Sequence, residues 1–281
     1  MVLTTDFGLT DSYVGVMKGV ILGINPDAAI IDLTHNIQPQ NILQASFTLA
    51  TSYRFFPKKS VHAVVVDPGV GTARRALLLD TPQGRFLAPD NGVLSGVLAD
   101  FLEESPPEPG KVELPDGLTA YSLTNAAYWL DPVSQTFHGR DVFSPVAAHL
   151  CLGVGPDNFG ESISEIVWLP APQPARHGGA IDGEIMVVDH FGNLVSNIPA
   201  NMLSGIIEPH VEIKGRRISG LSRTFHDPLQ PGTSADSSPD SDKLVALLGS
   251  SGFLGVAVPD GNAAALLGAD VGEPVRVVFK S

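Results

Sequence analysis

Short apolar runs alternate with stretches of helical period along the first half of the chain. Val2 to Thr5 is an apolar run that ends at Asp6-Phe7-Gly8. Val14, Met17, Val20 and Ile21 then recur at helical spacing, with Asp11 or Ser12 as cap and Asn25-Pro26 as stop, which predicts a helix to about Leu22. Ala29 to Leu33 predicts a second strand, followed by Thr34-His35. Asn41 caps a second helix that runs to Phe56 and ends at Pro57. Val61 to Val66 is rich in β-branched residues and reads as a strand buried on both faces. It breaks at Asp67-Pro68-Gly69-Val70-Gly71, where proline and two glycines force the backbone to turn. Strand, helix, strand, helix, strand in this order predicts βαβ units and an α/β domain with a mainly parallel central sheet.

Beyond the break, Ala76–Asp80 and Arg85–Ala88 predict a hairpin around residues 81–84. Pro89-Asp90-Asn91-Gly92 is a tight turn into a helix over about 93–101, and 103–117 reads as a surface loop. A strand near 121–123 and a helix over about 142–152, with Pro145 tolerated in its first turn, complete this half. Leu169-Pro170-Ala171-Pro172-Gln173-Pro174 is stiff. It places the boundary: an α/β domain over 1–168, a proline-rich linker over 169–178 and a small all-β, barrel-like domain over 179–281. In the last of these, runs at 183–188, 211–213, 244–248, 255–258 and 275–279 are separated by Gly and Asp/Asn turns. The Ser-, Pro- and Asp-rich stretch 220–242 reads as a mobile loop without chemistry.

The 281 residues are 43% hydrophobic and 17% charged, enough for real cores. A net charge of −13 argues against nucleic acid and against an anionic membrane surface as partners. The single Cys151 excludes an intramolecular disulfide and reads as a buried small hydrophobe. The first residues lack a basic and apolar leader pattern, and no apolar run is long enough to span a bilayer, so a cytoplasmic protein is expected.

Three polar clusters fall where the strands of the first domain should end, the edge at which open α/β sheets bind ligands. They are Asp6 with Asp11, Asp67 with Arg74 and Arg75, and His138 with Arg140 and Asp141. A carboxylate, a guanidinium and an imidazole brought together can orient a water and take its proton. Bland readings stand beside this one: a solvated Asp-Pro-Gly turn, a helix-entry His138 bonded to backbone, and Asp141 as a simple N-cap. The loop is no Walker phosphate loop, because Gly71 is followed by Thr72-Ala73 with no lysine. No metal-ligand spacing joins Asp6, Asp67 and His138, and no metal or cofactor is expected. In the second domain Asp189-His190-Phe191-Gly192-Asn193 and Gly249-Ser250-Ser251-Gly252-Phe253 are polar turns with one aromatic each, either core residues or platforms for a purine or an amino-acid head group.

Taken in order, four motifs resemble those of the S-adenosyl-L-methionine (SAM) hydroxide adenosyltransferases, or SAM hydrolases, relatives of the fluorinase and chlorinase enzymes. They are Thr4-Thr5-Asp6-Phe7-Gly8 with Asp11, Val66-Asp67-Pro68-Gly69-Val70-Gly71-Thr72 with Arg74, Phe137-His138-Gly139-Arg140-Asp141, and Asp189-His190-Phe191-Gly192-Asn193. The resemblance implies an α/β domain followed by a β-barrel domain, and a homotrimer with sites between subunits. It places a catalytic triad on Asp67, Arg74 and His138 and a ribose-binding aspartate on Asp6. It assigns adenine and methionine contacts to Asp189, Phe191 and Asn193, and further substrate contacts to Ser250, Phe253, Gln40 and Asn91. The halogenating relatives carry Tyr in place of Asp67, no histidine in place of His138, and, in the fluorinase, a threonine in place of Val70. The chain therefore resembles the branch that uses water. Gly-Ser-Ser-Gly at 249–252 and Val258-Pro259-Asp260 depart from the family's usual residues. The implied reaction is SAM hydrolysis to adenosine and L-methionine. Its rivals are halide-dependent adenosyl transfer and a non-catalytic SAM- or adenosine-binding sensor.

Overall fold

A computed structural model describes residues 1–226 and 243–280. The chain forms two compact units, Met1–Ala171 and Pro172–Ser281. Most of the stretch read as a mobile loop, residues 227–242, lies outside the described residues.

The first unit runs β1 (Val2–Thr5), α1 (Tyr13–Ile24), β2 (Ile31–Thr34), α2 (Ile42–Ala50), β3 (Val61–Val65), β4 (Ala76–Asp80), β5 (Arg85–Pro89), α3 (Ser95–Leu98), β6 (Gly110–Glu113), β7 (Thr119–Ser122), α4 (Ser144–Cys151), β8 (Ser162–Ile163) and β9 (Glu165–Trp168). Its seven-stranded sheet has the order β2-β1-β3-β5-β4-β7-β8. The first four of these strands are parallel; β4, β7 and β8 add on antiparallel.

All five residues of β3 are buried, because helices cover both faces. Ala63 and Val65 pack with Met17 and Ile21 of α1 and Val146 and Leu150 of α4. Val64 and Val66 face the other way, into a core with Ala45 and Leu49 of α2 and Val97 of α3. The period of two along the strand thus divides one apolar run between two cores.

Several local expectations change. Asn41 does cap α2, its side chain accepting from the Gln44 N–H at 2.9 Å. The helix ends at Ala50, however, where the Thr51 hydroxyl bonds back to the Phe47 carbonyl at 2.9 Å, and only a 3₁₀ turn follows at Tyr53–Phe55. Ser12 stands at the N-cap of α1 without a side-chain cap bond. The helix expected over 93–101 is one turn, α3. The loop expected over 103–117 contains β6, paired antiparallel with β9. Cys151 is exposed rather than buried, because it lies on the outer side of the last turn of α4.

His62 on β3 is 1% exposed, stacked on Phe86 at 4.9 Å with Phe56 edge-on at 5.3 Å. Neither ring nitrogen has a hydrogen-bond partner among the described residues. Burial pushes its pKa down to about 4 from 6.5. The unfolded chain therefore binds a proton at a higher pH than the folded one. This contribution to stability is complete above pH 6.5 and is lost as pH falls toward 4. Urea unfolding should show His62→Phe losing about 2 kcal/mol less stability than the parent between pH 7 and pH 5. Equal losses would mean that His62 finds a partner for its proton.

The second unit contains β10 (Ala175–His177), β11 (Ala180–Val188), β12 (Leu194–Pro199), β13 (Ile207–Ile213), β14 (Arg216–Ser219), β15 (Val245–Leu248), β16 (Phe253–Ala257), α5 (Ala263–Leu267) and β17 (Pro274–Lys280). The strands form an antiparallel sheet in the order β14-β13-β17-β11-β12-β16-β15, with β10 added on β11. A bridge between Ser222 and Leu247 joins its two ends, so the barrel is nearly closed. Its core holds Ile185, Leu194, Val211, Leu254, Val256 and Val277.

Candidate functional site

The four parallel strands all deliver polar residues at their carboxyl ends: Asp6 after β1, His35 after β2, Asp67 after β3, and Asp90-Asn91 after β5. All four strands are only four or five residues long, so these polar residues stand close in sequence to each strand's start and mark its carboxyl edge.

Asp67 and Arg74 close the loop between β3 and β4 on itself. Arg74 Nε donates to both carboxylate oxygens at 3.0 Å, and a terminal guanidinium nitrogen also donates to Oδ2. The two side chains are 5% and 11% exposed, so the pair is shielded from solvent screening. Val70 N–H bonds the Asp67 carbonyl and the Thr72 hydroxyl bonds the Gly69 carbonyl at 2.6 Å, which folds the loop tightly. Gly71 has φ +76°, and a Cβ there would stand 2.3 Å from the Gln135 carbonyl oxygen. The loop thus presses against the segment that leads to His138.

The same guanidinium reaches His138, Nδ1 at 2.8 Å. A guanidinium only donates, so Nδ1 accepts and the neutral ring carries its proton on Nε2. Burial, and then the Arg74 charge, hold the His138 pKa below its ordinary value. Asp67, Asp141 and a backbone bond toward Ser134 pull the other way without reversing it. Phe143 lies 5.7 Å from the Arg74 guanidinium carbon, a cation–π contact on its other side.

His138 stands at the entry of a π-helical turn, Gly139–Phe143, that runs into α4. Asp141 does not cap the helix. Its buried carboxylate reaches back to the Ser134 N–H at 2.8 Å and pairs with Arg140 Nε at 2.6 Å. It therefore shapes the turn before His138. The Ser134 hydroxyl then accepts from the Phe137 N–H at 3.0 Å.

Asp6 and Gln40 also come together. Asp6 Oδ2 accepts the Gln40 N–H at 2.7 Å, with Gln40 in the left-handed region at φ +66°. His35, which the sequence reading left without a role, ties this corner down. Its carbonyl accepts the Gly8 N–H at 2.7 Å, its Nδ1 meets the Thr5 hydroxyl at 2.8 Å, and its Nε2 lies 3.0 Å from Asp32. Phe7 beside Asp6 and Phe137 beside His138 are ring neighbours at 5.7 Å, which links the Asp6 corner to the triad. Asp11 is exposed and joins neither group. Asn91 is turned inward: Nδ2 donates to the Val66 carbonyl at 2.9 Å and Oδ1 accepts from Val93 N–H at 3.1 Å.

In the second unit Asp189 organises its turn. Oδ1 accepts from the N–H groups of Phe191 and Asn193 at 2.9 Å, and Oδ2 from Asn193 Nδ2 at 2.8 Å. Phe191 at the tip is 71% exposed, a bare aromatic face on a pinned turn. Asn262 packs against the turn from below: a Cβ on Gly192, at φ +84°, would stand 2.1 Å from its side-chain carbon. Only its place before Ala263, as an N-cap asparagine, marks it in the sequence. Ser250 and Phe253 lie elsewhere. Phe253 pairs with Pro199, whereas the Asp189 turn adjoins Leu194, which pairs with Val256, about 10 Å from Phe253 along β16.

Among the described residues, no three His, Cys, Asp or Glu side chains gather as a metal site, and no helix is long and apolar enough to cross a membrane.

Residues 1–160 match the model of the SAM hydroxide adenosyltransferase N-terminal domain and residues 183–276 that of the C-terminal domain. The chain belongs to the SAM hydroxide adenosyltransferase family. An (R)-S-adenosyl-L-methionine hydrolase of Thermus thermophilus is 37% identical over 98% of this chain and 97% of its own. A fluorinase of an Actinoplanes species is 30% identical over 90% of this chain and 88% of its own. The crystal structure of an uncharacterized conserved protein from Thermotoga maritima superposes with a TM-score of 0.83 at 33% identity, covering 99% of this chain and all of that one. The family likeness thus spans both units, and the Asp67–Arg74–His138 group is built within the first family domain.

Proposed function

We propose that the protein hydrolyses SAM to adenosine and L-methionine by attack of water at the ribose 5′ carbon. The observation that carries this reading is the single guanidinium of Arg74, which holds the Asp67 carboxylate and fixes the tautomer of His138. The sulfur of SAM leaves as a neutral thioether and needs no acid, so the help is required by the nucleophile. With Nδ1 held by Arg74 and its one N–H drawn toward the Ser134 backbone, neutral His138 is fixed as a wall beside the attacking water rather than serving as its base. Asp67 Oδ1, which accepts one bond from Arg74 where Oδ2 accepts two, takes the proton. As the oxygen bonds to carbon, the carbon–sulfur bond breaks and its electron pair goes to sulfur. The proton passes from Asp67 to solvent.

In this reading the first unit carries the triad and, on Asp6, the ribose hydroxyls, with Gln40 acting through its backbone. The second unit supplies the Asp189-Phe191-Asn193 turn, with Phe191 as the face on which adenine stacks. Ser250 and Phe253 would meet the ligand only from the far end of β12. We further place the protein in the cytoplasm as a homotrimer, in which a neighbouring copy's turn completes each site. The exposed aromatic of Phe191 supports an interface, and light scattering gives the copy number.

The reading is tested by incubating the purified protein with SAM, with and without chloride, fluoride and EDTA, and separating the products. Adenosine and methionine in equal amounts are expected, unchanged by halide or chelator, with one oxygen-18 atom taken up from labelled water. A 5′-halogenated nucleoside, or bound but unchanged SAM, would overturn it.

A further inference from the structure

We infer that the Asp90-Asn91 pair after β5 is a two-handed clamp that sets the alignment of Asp67 with Arg74, neither residue touching the substrate. The inference rests on the hydrolase reading above. Asn91 holds one end of the loop: its Nδ2 donates to the carbonyl of Val66, the residue immediately before Asp67, at 2.9 Å. Asp90 holds the other end at Arg75, the residue immediately after Arg74. Its backbone N–H donates to the Arg75 carbonyl at 2.9 Å. Its Oδ2 accepts from Arg75 Nε at 2.8 Å and from a terminal guanidinium nitrogen at 2.5 Å. Fixing Arg75 at both its carbonyl and its guanidinium thereby fixes the backbone directly after Arg74.

The clamp is itself anchored. Asp90 Oδ1 accepts the Val167 N–H at 2.7 Å and Arg75 also donates to the Glu165 carbonyl at 3.0 Å, both on β9. Asn91 is held by the Val93 N–H. The Asp90 side chain is 4% exposed and that of Arg75 30%, so the carboxylate end of the pair is buried while the guanidinium reaches the surface. Both polar ends of each side chain are spent on protein groups. Asn91 therefore acts as a positioning residue rather than the substrate contact that the family resemblance implies. Positioning matters because errors of about 1 Å in a reacting constellation cost on the order of 10²-fold in rate.

The test is Asn91→Asp, which keeps the shape and the bond from Val93 but sets an acceptor against the Val66 carbonyl. It is expected to lower kcat about 10- to 100-fold with KM for SAM within about twofold, and to add nothing in an Asp67→Asn background. Arg75→Met, acting on the other end of the loop, should behave alike and serves if Asn91→Asp does not fold. The nitrogen-15 shifts of the His138 ring report the Arg74 bond to Nδ1 directly. They should move in both variants whether or not the protein turns SAM over. A raised KM at unchanged kcat, equal losses in both backgrounds, or unmoved His138 shifts would each overturn the clamp. Wild-type protein inert toward SAM, with His138 shifts that still move in the variants, would instead overturn the hydrolase reading and leave the clamp standing.

Discussion

Asp67→Asn is expected to lower turnover of SAM by about 10²- to 10⁴-fold, the range over which a positioned base acts, with a smaller change in KM. The amide is nearly isosteric, so the loop keeps its shape while the base is lost. The substitution also removes the charge that Arg74 neutralises, in a setting where the two side chains are 5% and 11% exposed. His138→Ala should lose turnover through the other half of the same arrangement. The pH profile gives an independent check. Burial and the Arg74 charge hold the His138 pKa below 6.5, so the working neutral ring persists as pH falls through 6.5, and the acid limb of kcat lies below that value. An acid limb centred at or above 6.5, or an Asp67→Asn enzyme within tenfold of wild type, would show that this group is not the one that activates water.

The parallel half of the first unit is legible in the sequence for a local reason. Each of its strands is a short, largely apolar stretch followed by polar or turn-forming residues, and Asp6, His35, Asp67 and Asp90 all stand at or just beyond those breaks. The all-β character of the second unit is legible in the same way. What the pattern does not hold is pairing. Gly110–Glu113 is a short, mostly exposed stretch whose strand character comes from β9, more than fifty residues later. The separation of Ser250 and Phe253 from the Asp189 turn follows from the register of β12 against β16, which neither strand's composition encodes. Candidate residues are thus visible singly, whereas their partners are not. That Arg74 touches both Asp67 and His138, that Asp141 reaches back to Ser134, and that Asn91 turns toward Val66 are facts of tertiary contact. Asp90 and His35 carry only the signal of their place at the strand ends.

Gly71→Ala is expected to destabilise the protein by about 2–4 kcal/mol and to cut turnover on the order of 10²-fold. Two costs combine. At φ +76° a Cβ is strained whatever surrounds it, and here it would also stand 2.3 Å from the Gln135 carbonyl oxygen, a backbone atom that cannot swing aside. Either the loop or the 130–137 turn must retreat. The turn is held by the Asp141 bond to Ser134 and the loop by Asn91 and Asp90, so the movement falls on the contact between them. That contact includes the 2.8 Å bond from Arg74 to His138. Gly117→Ala separates the two costs, because Gly117 has φ +88° but nothing within 4 Å of an added Cβ. Thermal unfolding and kcat measured on both variants decide the matter. A larger loss of stability in Gly71→Ala, accompanied by the loss of turnover, ties the close approach of loop and turn to the alignment of the triad. Equal losses of stability with turnover retained would mean that Arg74 holds His138 without help from that contact.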